Sequence, residues 1–235
     1  MDLESILFSQ GFGSRRQCRT IVAQGRVRIA GSVCTDADAE FASAPAPEFE
    51  VDGTAWRYRE KAYIALNKPA GYECSRDPQH HLSVFHLLPA QLCARGVQSV
   101  GRLDQDTTGL LLLTDDGQFI HRMGSPKHHV PKVYEVTTKH PVAQAQLDKL
   151  LAGVVLDDDP KPVRAAAAEA VTPHHMRLTL TQGKYHQVKR MVAAAGNRVE
   201  ALHRSRIGDL ALPDELAAGQ WRWLTAAEVE ALRRA

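Results

Sequence analysis

The sequence predicts an α+β protein: a small N-terminal α/β module, then a larger domain built on a mixed, largely antiparallel sheet with flanking helices. Arginines and hairpin signals gather near the N-terminus, and a segment rich in alanine, proline and acidic residues follows at 43–60. Beyond it, long strand-like segments dominate with only some helices between them, unlike the regular alternation of a doubly wound fold. We therefore predict a first domain over 1–42, a linker over 43–60 and a second domain over 61–235.

The N-terminal module is predicted to be a basic helix followed by a hairpin. Five arginines and no acidic residue lie between residues 13 and 28. Ser14 and Gln17 fit a capping box, which predicts a helix from Arg15. The segment RVRIAGSVCT predicts two short strands around Ala30 and Gly31, where alanine replaces the usual asparagine and a different turn type is expected. An arginine face suits a phosphate backbone, and a solvated basic face without a partner is the alternative.

The larger domain is predicted from its strand and helix patterns. The strand-like segments are AYIALNK, LLLLTDD, VYEVTTK, VRAAAAEAV and MRLTLTQG. Helical segments VAQAQLDKLLAG and HQVKRMVAAAG separate some of them. A second capping box, Thr225 with Glu228, predicts a final helix near the C-terminus.

Composition excludes several classes of protein. The 235 residues are 44% hydrophobic and 24% charged, which is ordinary for a globular protein. The four cysteines form no CxxC pair, so neither a disulfide framework nor a thiolate metal site is expected. The adjacent histidine pairs lack i, i+4 helical spacing, so no metal site is predicted. The acidic start is unlike a signal peptide and no apolar run could cross a bilayer, so we expect a cytoplasmic protein.

Asp104 is the first candidate for chemistry. It lies in GRLDQDTTGLLLLTDDG, shortly before four leucines, and a charge at the edge of a buried run normally has a partner. It is either a nucleophile or general base at the mouth of a cleft, or a turn or cap residue, and the spacing leaves both interpretations open. Asp106, Asp115 and Asp116 lie among turn formers and are interpreted as turn residues.

The segment PKVYEVTT holds the second candidate. Strand alternation places Lys132 and Tyr134 on one face. A tyrosine beside a lysine on a strand that faces a cleft could stack on a base or accept a proton. A half-buried packing role is the alternative for a strand tyrosine.

The third candidate is a group of cations in QGKYHQVKRMVAAAGN. Lys184, Lys189 and Arg190 cluster around the predicted start of a helix, where the helix dipole disfavours positive charge. This local cost indicates an anionic partner: a carboxylate, a phosphate or both. The alternative is an ordinary set of surface lysines and arginines.

Taken together, these motifs resemble the RsuA-like branch of the ribosomal RNA pseudouridine synthases. GSRRQCRTIVAQGRVRIAGSVCTD is similar to an S4 RNA-binding domain, and LNKPAGYECS resembles the opening strand and turn of the family. GRLDQDTTGLLLLTDDG resembles the motif of the catalytic aspartate, and PKVYEV resembles the motif of the active-site tyrosine. GKYHQVKRM, with HRSRIG, resembles the motif that carries the basic partner of the aspartate. The resemblance covers nearly the whole chain.

The resemblance implies a reaction and roles for these residues. Uridine becomes pseudouridine when its base is detached from C1′ and rejoined through C5, which requires no cofactor and no metal. Asp104 would be the nucleophile, and Lys189 would keep it ionised in a site partly closed to water, where related branches have arginine. Tyr134 would stack on the target ring and relay a proton, and Arg102 would hold the uridine flipped out of its helix.

The resemblance also implies an RNA-binding surface. Its residues are Arg15, Arg16, Arg19, Arg26, Arg102, Thr107, Lys132, Lys184, His186, Gln187 and Arg190. The HQVK variant, together with the S4 module, favours 16S ribosomal RNA as substrate, and we expect a monomer that meets this RNA within a small-subunit assembly particle. A synthase for 23S ribosomal RNA and a non-catalytic S4-type assembly factor remain the alternatives.

Overall fold

The computed structural model divides into two compact units. The residues that it describes are 1–42, 45–125, 128–157 and 159–235. The first unit comprises 1–62 and 88–98, and the second comprises 63–87 and 99–235. Residues 43 and 44, with which the predicted linker begins, lie outside the described residues. None of the helices in the described ranges has both the length and the apolar character needed to cross a bilayer.

Two helices and an antiparallel sheet of four strands build most of the first unit. Its elements up to residue 57 are α1 (Leu3–Ser9), α2 (Arg15–Ala23), β1 (Val27–Ile29), β2 (Ser32–Cys34), β3 (Glu48–Val51) and β4 (Thr54–Arg57). The strand order is β2-β1-β3-β4. Leu3, Leu7, Val22 and Phe49 are buried together between the helices and this sheet.

The predicted basic helix and hairpin are present. The Ser14 side chain accepts a hydrogen bond from the Gln17 amide, and the Gln17 side chain accepts one from the Ser14 amide, which completes the capping box at the start of α2. In the hairpin turn, Ala30 has φ 49° and Gly31 has φ 78°. Positive φ at both central residues is the condition of the usual type I′ turn, so these angles give no support to the expected change of type.

The predicted linker over 43–60 is corrected by β3 and β4. β3 pairs with β1 and aligns Phe49 with Ile29, and β4 pairs with β3 across a turn at Asp52 and Gly53. Phe49 and Val51 alternate with glutamates along β3, and the two apolar side chains are buried. The acidic and proline-rich composition conceals this short alternating pattern, so the segment completes the first unit.

The second unit contains the larger sheet. From residue 63 to the C-terminus the elements are β5 (Tyr63–Lys68), β6 (Tyr72–Glu73), β7 (Leu82–Ser83), a 3-10 helix (Val84–Leu87), α3 (Ala90–Ala94), β8 (Gln98–Ser99), β9 (Thr108–Thr114), α4 (Gly117–Gly124), β10 (Lys132–Thr138), α5 (Gln144–Ala152), β11 (Val154–Leu156), β12 (Asp159–Val163), β13 (Ala167–Thr172), β14 (His175–Leu180), α6 (Gln187–Ala194), β15 (Val199–Ile207), β16 (Leu210–Ala211), β17 (Trp221–Trp223) and α7 (Ala226–Arg234). Of these, α3 belongs to the first unit.

The main sheet has the order β13-β14-β10-β15-β9-β5-β17. β15 and β9 are parallel and the other neighbours along this order are antiparallel, which confirms the predicted mixed, largely antiparallel sheet. The backbones of β9 and β15 approach closely at Gly109, where a Cβ would lie 2.3 Å from the Arg204 carbonyl oxygen. Only glycine fits there, and this close approach brings the start of β9 beside β15.

Candidate active site

Asp104 lies on a short loop that leads into the buried strand β9. Leu110 and the three leucines after it are buried and fix the strand in the sheet. A turn closes the loop, because the Thr107 amide donates to the Asp104 carbonyl at 3.1 Å. The wholly buried Lys68 ammonium donates to the carbonyls of Gln105 at 3.1 Å and Thr107 at 2.8 Å. The loop that carries Asp104 is therefore held by a cation from the neighbouring strand β5.

Lys189, in the first turn of α6, reaches this loop. Its Nζ lies 3.1 Å from Asp104 Oδ2 and 2.6 Å from Asp106 Oδ1. Burial opposes the charge of Lys189, but the hydrogen bonds and charges of Asp106 and Asp104 outweigh it and raise the pKa of the lysine. The structure thus supplies the anionic partner expected for a cation at a helix N-terminus, and that partner is a pair of carboxylates.

Asp106 is more than the turn residue that was predicted. Burial would raise the pKa of its carboxyl, but the hydrogen bond and charge of Lys189 outweigh burial and lower that pKa. Asp106 is the nearer of the two carboxylates to Lys189. The sequence did carry a signal, because Asp104 and Asp106 flank one residue and a turn can direct both toward one cation.

Tyr134 and Arg204 lie on adjacent strands beside the loop. They are register partners between β10 and β15, and Tyr134 is buried. Arg204 is only 2% exposed. Its Nε donates to the Leu110 carbonyl at 2.8 Å, whereas its Nη2 has no hydrogen-bond partner within the described ranges. Burial, together with the charge of Arg204, lowers the pKa of Lys132 to about 8.

These side chains surround one open cavity of about 830 Å³ in the second unit. Asp104, Tyr134 and Lys189 all line it. Six of the residues predicted to contact RNA line it as well: Arg102, Thr107, Lys132, Lys184, His186 and Gln187. Arg190 is not in the lining, and its Nη1 donates to the Tyr185 carbonyl at 3.2 Å.

The segment before α6 brings a histidine to Asp104. His186 is the N-cap residue and has a left-handed backbone, with φ 48°. Its Nε2 lies 3.4 Å from Asp104 Oδ1. Gln187 is buried, and its side-chain oxygen accepts a hydrogen bond from the backbone amide of Lys184 at 2.8 Å. The Gln187 side chain therefore helps to hold the segment before α6 in place.

This arrangement suits nucleophilic chemistry on a flat polar ring. A carboxylate beside an ammonium is held in place at the edge of a partly closed site, and a buried tyrosine offers a ring on which a planar substrate can stack. The cavity is large enough for a nucleotide-sized ligand, and lysine and arginine side chains line it. The structure brings Asp104, Tyr134 and Lys189, which the sequence analysis singled out, to the lining of this one cavity.

Comparison with known proteins identifies the family. The RNA pseudouridylate synthase family model matches residues 62–194. The chain belongs to this family. A second model, for the S4 domain, matches residues 3–40. The protein is thus a pseudouridine synthase, and RNA is its substrate.

Individual relatives match over almost the whole synthase. The chain is 40% identical over 230 residues to the ribosomal small subunit pseudouridine synthase A of Yersinia pestis, covering 97% of each protein. It is also 40% identical to the protein of the same name from Escherichia coli strain K12, covering 97% of this chain and 98% of that one. A crystal structure of a pseudouridylate synthase superposes with a TM-score of 0.71 at 36% identity, covering 99% of both chains.

The synthase carries its other predicted RNA contacts on the first unit. Arg15, Arg16, Arg19 and Arg26 are all exposed. Three of them bind carboxylates of their own unit: Arg15 and Arg19 bind Glu4, Arg19 also binds Asp38 at 2.7 Å, and Arg26 binds Asp52 at 2.6 Å. Arg16 has no ion pair within the described ranges. The sequence pattern missed these pairs because their acidic partners lie outside the arginine-rich segment.

Proposed function

We propose that the protein converts one uridine of 16S ribosomal RNA, in the small ribosomal subunit, to pseudouridine. The proposal is supported by relatives named for this activity at about 40% identity over 97% of the chain. The observation that carries the catalytic part is the convergence of three side chains in one cavity. There Asp104 lies 3.1 Å from the Lys189 ammonium, and Tyr134 lines the same cavity.

In this proposal Asp104 is the nucleophile. Its carboxylate attacks C1′ of the ribose or the base ring; in either case the C1′–N1 bond breaks, the base turns and a C1′–C5 bond forms. The proton on C5 then leaves, N1 gains a proton and the carboxylate is released unchanged. No atom is gained or lost overall, so the protein supplies only a transient nucleophile, the orientation of the base and a proton transfer. Tyr134 stacks on the ring and takes part in that proton transfer.

Lys189 holds the nucleophile in place and offsets part of its charge. Its ammonium is shared by Asp104 and Asp106, so the three groups carry one net negative charge. Lys68 adds a second cation behind the loop, but its three hydrogen bonds go to backbone carbonyls. The negative charge that Lys189 does not offset is thus available for the attack, while Lys68 holds the loop through its backbone.

The remaining cations bind the RNA. Arg102 and Lys184, at the cavity, hold the flipped uridine and its phosphates, with Thr107, Lys132, His186 and Gln187 along the cavity wall and Arg190 behind them. The S4-like unit adds affinity through Arg15, Arg16, Arg19 and Arg26. Extruding a base costs a few kcal/mol, which gives a reason for a separate RNA-binding unit.

The proposal extends to the setting of the reaction. We expect a cytoplasmic monomer that acts on the RNA within a small-subunit assembly particle.

Mapping of pseudouridines in ribosomal RNA tests the proposal. Cells that lack the protein should lose one pseudouridine from 16S ribosomal RNA, and the wild-type protein should restore it whereas Asp104→Asn should not. Loss of a signal from 23S ribosomal RNA would assign the enzyme to the large subunit. An unchanged map in both RNAs would leave only a binding role.

A further inference from the structure

Tyr185 is a large aromatic side chain exposed at the rim of the cavity. It is 75% exposed, and it is the one Phe, Tyr or Trp among the described residues of the second unit that is classed as exposed. Exposing a ring of this size to water is unfavourable and contributes little to folding. A ligand that covers the ring would account for its position.

The ring is fixed in place although it is exposed. One face stacks on His186, with the ring centroids 3.8 Å apart and the planes 22° apart. The Tyr185 carbonyl accepts from Arg190 Nη1 at 3.2 Å, and the left-handed φ of 48° at His186 sets the direction of the segment. Because such a backbone conformation costs about 1 kcal/mol or more in a non-glycine residue, it indicates a functional constraint. The other face of the Tyr185 ring is left open to solvent.

The stacked pair of Tyr185 and His186 begins beside the nucleophile. His186 Nε2 lies 3.4 Å from Asp104 Oδ1, so the histidine separates Tyr185 from the reacting group. Lys184 and Lys189 lie on either side of the pair in sequence, and both line the cavity. A fixed aromatic face among cations is the arrangement that binds unpaired nucleotides, because bases stack on the ring and phosphates pair with the cations.

We propose that the open face of Tyr185 binds the base of the nucleotide next to the target uridine. When the uridine leaves its stack, this neighbouring base loses one of its stacking partners, and Tyr185 replaces that partner outside the cavity. The ligand class is an unpaired nucleobase in RNA, without a requirement for one base identity. The inference rests on the proposed role of Asp104, because that role defines where the target uridine lies.

An experiment that removes the Tyr185 ring and the neighbouring base, separately and together, tests this subsite. The substrate is the 16S ribosomal RNA segment that contains the mapped uridine, made with normal nucleotides or with an abasic site immediately 5′ or 3′ of that uridine. Tyr185→Ala should lower kcat/KM on normal RNA by roughly 5- to 100-fold, the range of a lost base–aromatic stack. Tyr185→Phe keeps the ring and should stay within about twofold of wild type.

The abasic substrates decide between stacking and a general structural role. On the RNA abasic at the contacted side, Tyr185→Ala should cost less than about twofold, because the stack is already absent. An equal loss on normal RNA and on both abasic RNAs would overturn the proposal, as would full activity of Tyr185→Ala on normal RNA.

A binding measurement separates this inference from the proposed nucleophile. In an Asp104→Asn background, which should not turn over, the same coupling between Tyr185→Ala and the abasic site should appear in the RNA dissociation constant. If Asp104→Asn retains full activity and the coupling persists, the nucleophile assignment fails and the stacking site stands. If the activity is lost and no coupling is seen, the stacking site alone fails.

Discussion

The two units each contain a cluster of charged side chains, and the clusters differ in how their charges balance. In the first unit Arg15 and Arg19 share the buried carboxylate of Glu4, and Arg19 also binds Asp38. Two cations therefore face two anions. Both arginine side chains are about half exposed.

The cluster in the second unit has an excess of negative charge. Lys189 alone binds both Asp104 and Asp106, and its side chain and that of Asp104 are each 27% exposed. His186 is close to Asp104 at 3.4 Å. One lysine therefore faces two carboxylates, and Lys189 and Asp104 are less exposed than the two arginines, whereas the Asp106 side chain is 54% exposed.

This difference in charge balance indicates a structural role for the cluster around Glu4 and a chemical role for the cluster around Lys189. A balanced cluster holds its helices together and leaves little charge for a ligand, so we expect RNA affinity in the first unit to depend more on Arg16, which has no ion pair within the described ranges, than on Arg15 or Arg19. An unbalanced cluster leaves negative charge on its carboxylates that the lysine does not offset, which suits a nucleophile.

The largest effect is expected when the two carboxylates of the site are each replaced by an amide. Asp104→Asn should lower kcat by at least about 10³-fold, because an amide cannot act as the nucleophile. Asp106→Asn removes only a partner of Lys189 and should cost on the order of tenfold. Release of the hydrogen from C5 of uridine measures both. Equal losses would mean that the two carboxylates act as one unit, and that Asp104 has no role distinct from that of Asp106.

The second prediction concerns the cation between the carboxylates. Lys189→Ala should lower kcat by about 100-fold, because it leaves two carboxylates close together without the ammonium that binds both. Lys184 lines the same cavity but is not proposed to bind Asp104, so Lys184→Ala should cost only a few-fold, mainly in KM. Similar mild losses in both variants would contradict a special role for the ammonium of Lys189.

The sequence could predict most elements of the fold because their signals are local. Both capping boxes are present, at Ser14 and at Thr225. The helix α6 buries Val188 and Met191 on one face, as the apolar spacing indicates. The strand composition predicted a mixed, largely antiparallel sheet, and the observed strand order agrees with this.

What the sequence could not predict depends on contacts between distant residues. Residues 88–98 return to the first unit, where Arg95 donates to Gln10 at 2.8 Å, and no composition change marks this return. In the sequence Arg204 is one of two arginines near the end of β15, with Arg206, and its burial follows only from the close approach of β15 to β9. The pairing of Asp106 likewise depends on the bend of the loop, which Lys68 holds from another strand.

A third, smaller effect tests the structural role of the balanced cluster. Glu4→Gln should lower the free energy of unfolding by about 1–2 kcal/mol, because two guanidinium groups lose a buried partner while remaining hydrated on their exposed sides. Asp38→Asn removes an exposed carboxylate and should destabilise the protein less than Glu4→Gln does. Urea unfolding of the full chain measures both. If Asp38→Asn were the more harmful, the buried carboxylate would not be the centre of the cluster.

The smallest expected effect concerns RNA binding by the first unit. Arg16 has no ion pair within the described ranges, so its charge is available to a phosphate, whereas the charge of Arg15 is partly neutralised by Glu4. Arg16→Ala should weaken RNA binding by about threefold and lower the slope of log K against log salt by about one. Arg15→Ala, the matched control on the same helix, should change that slope less. The salt dependence is the decisive readout, since a loss of affinity with an unchanged slope in Arg16→Ala would show that this guanidinium does not contact a phosphate.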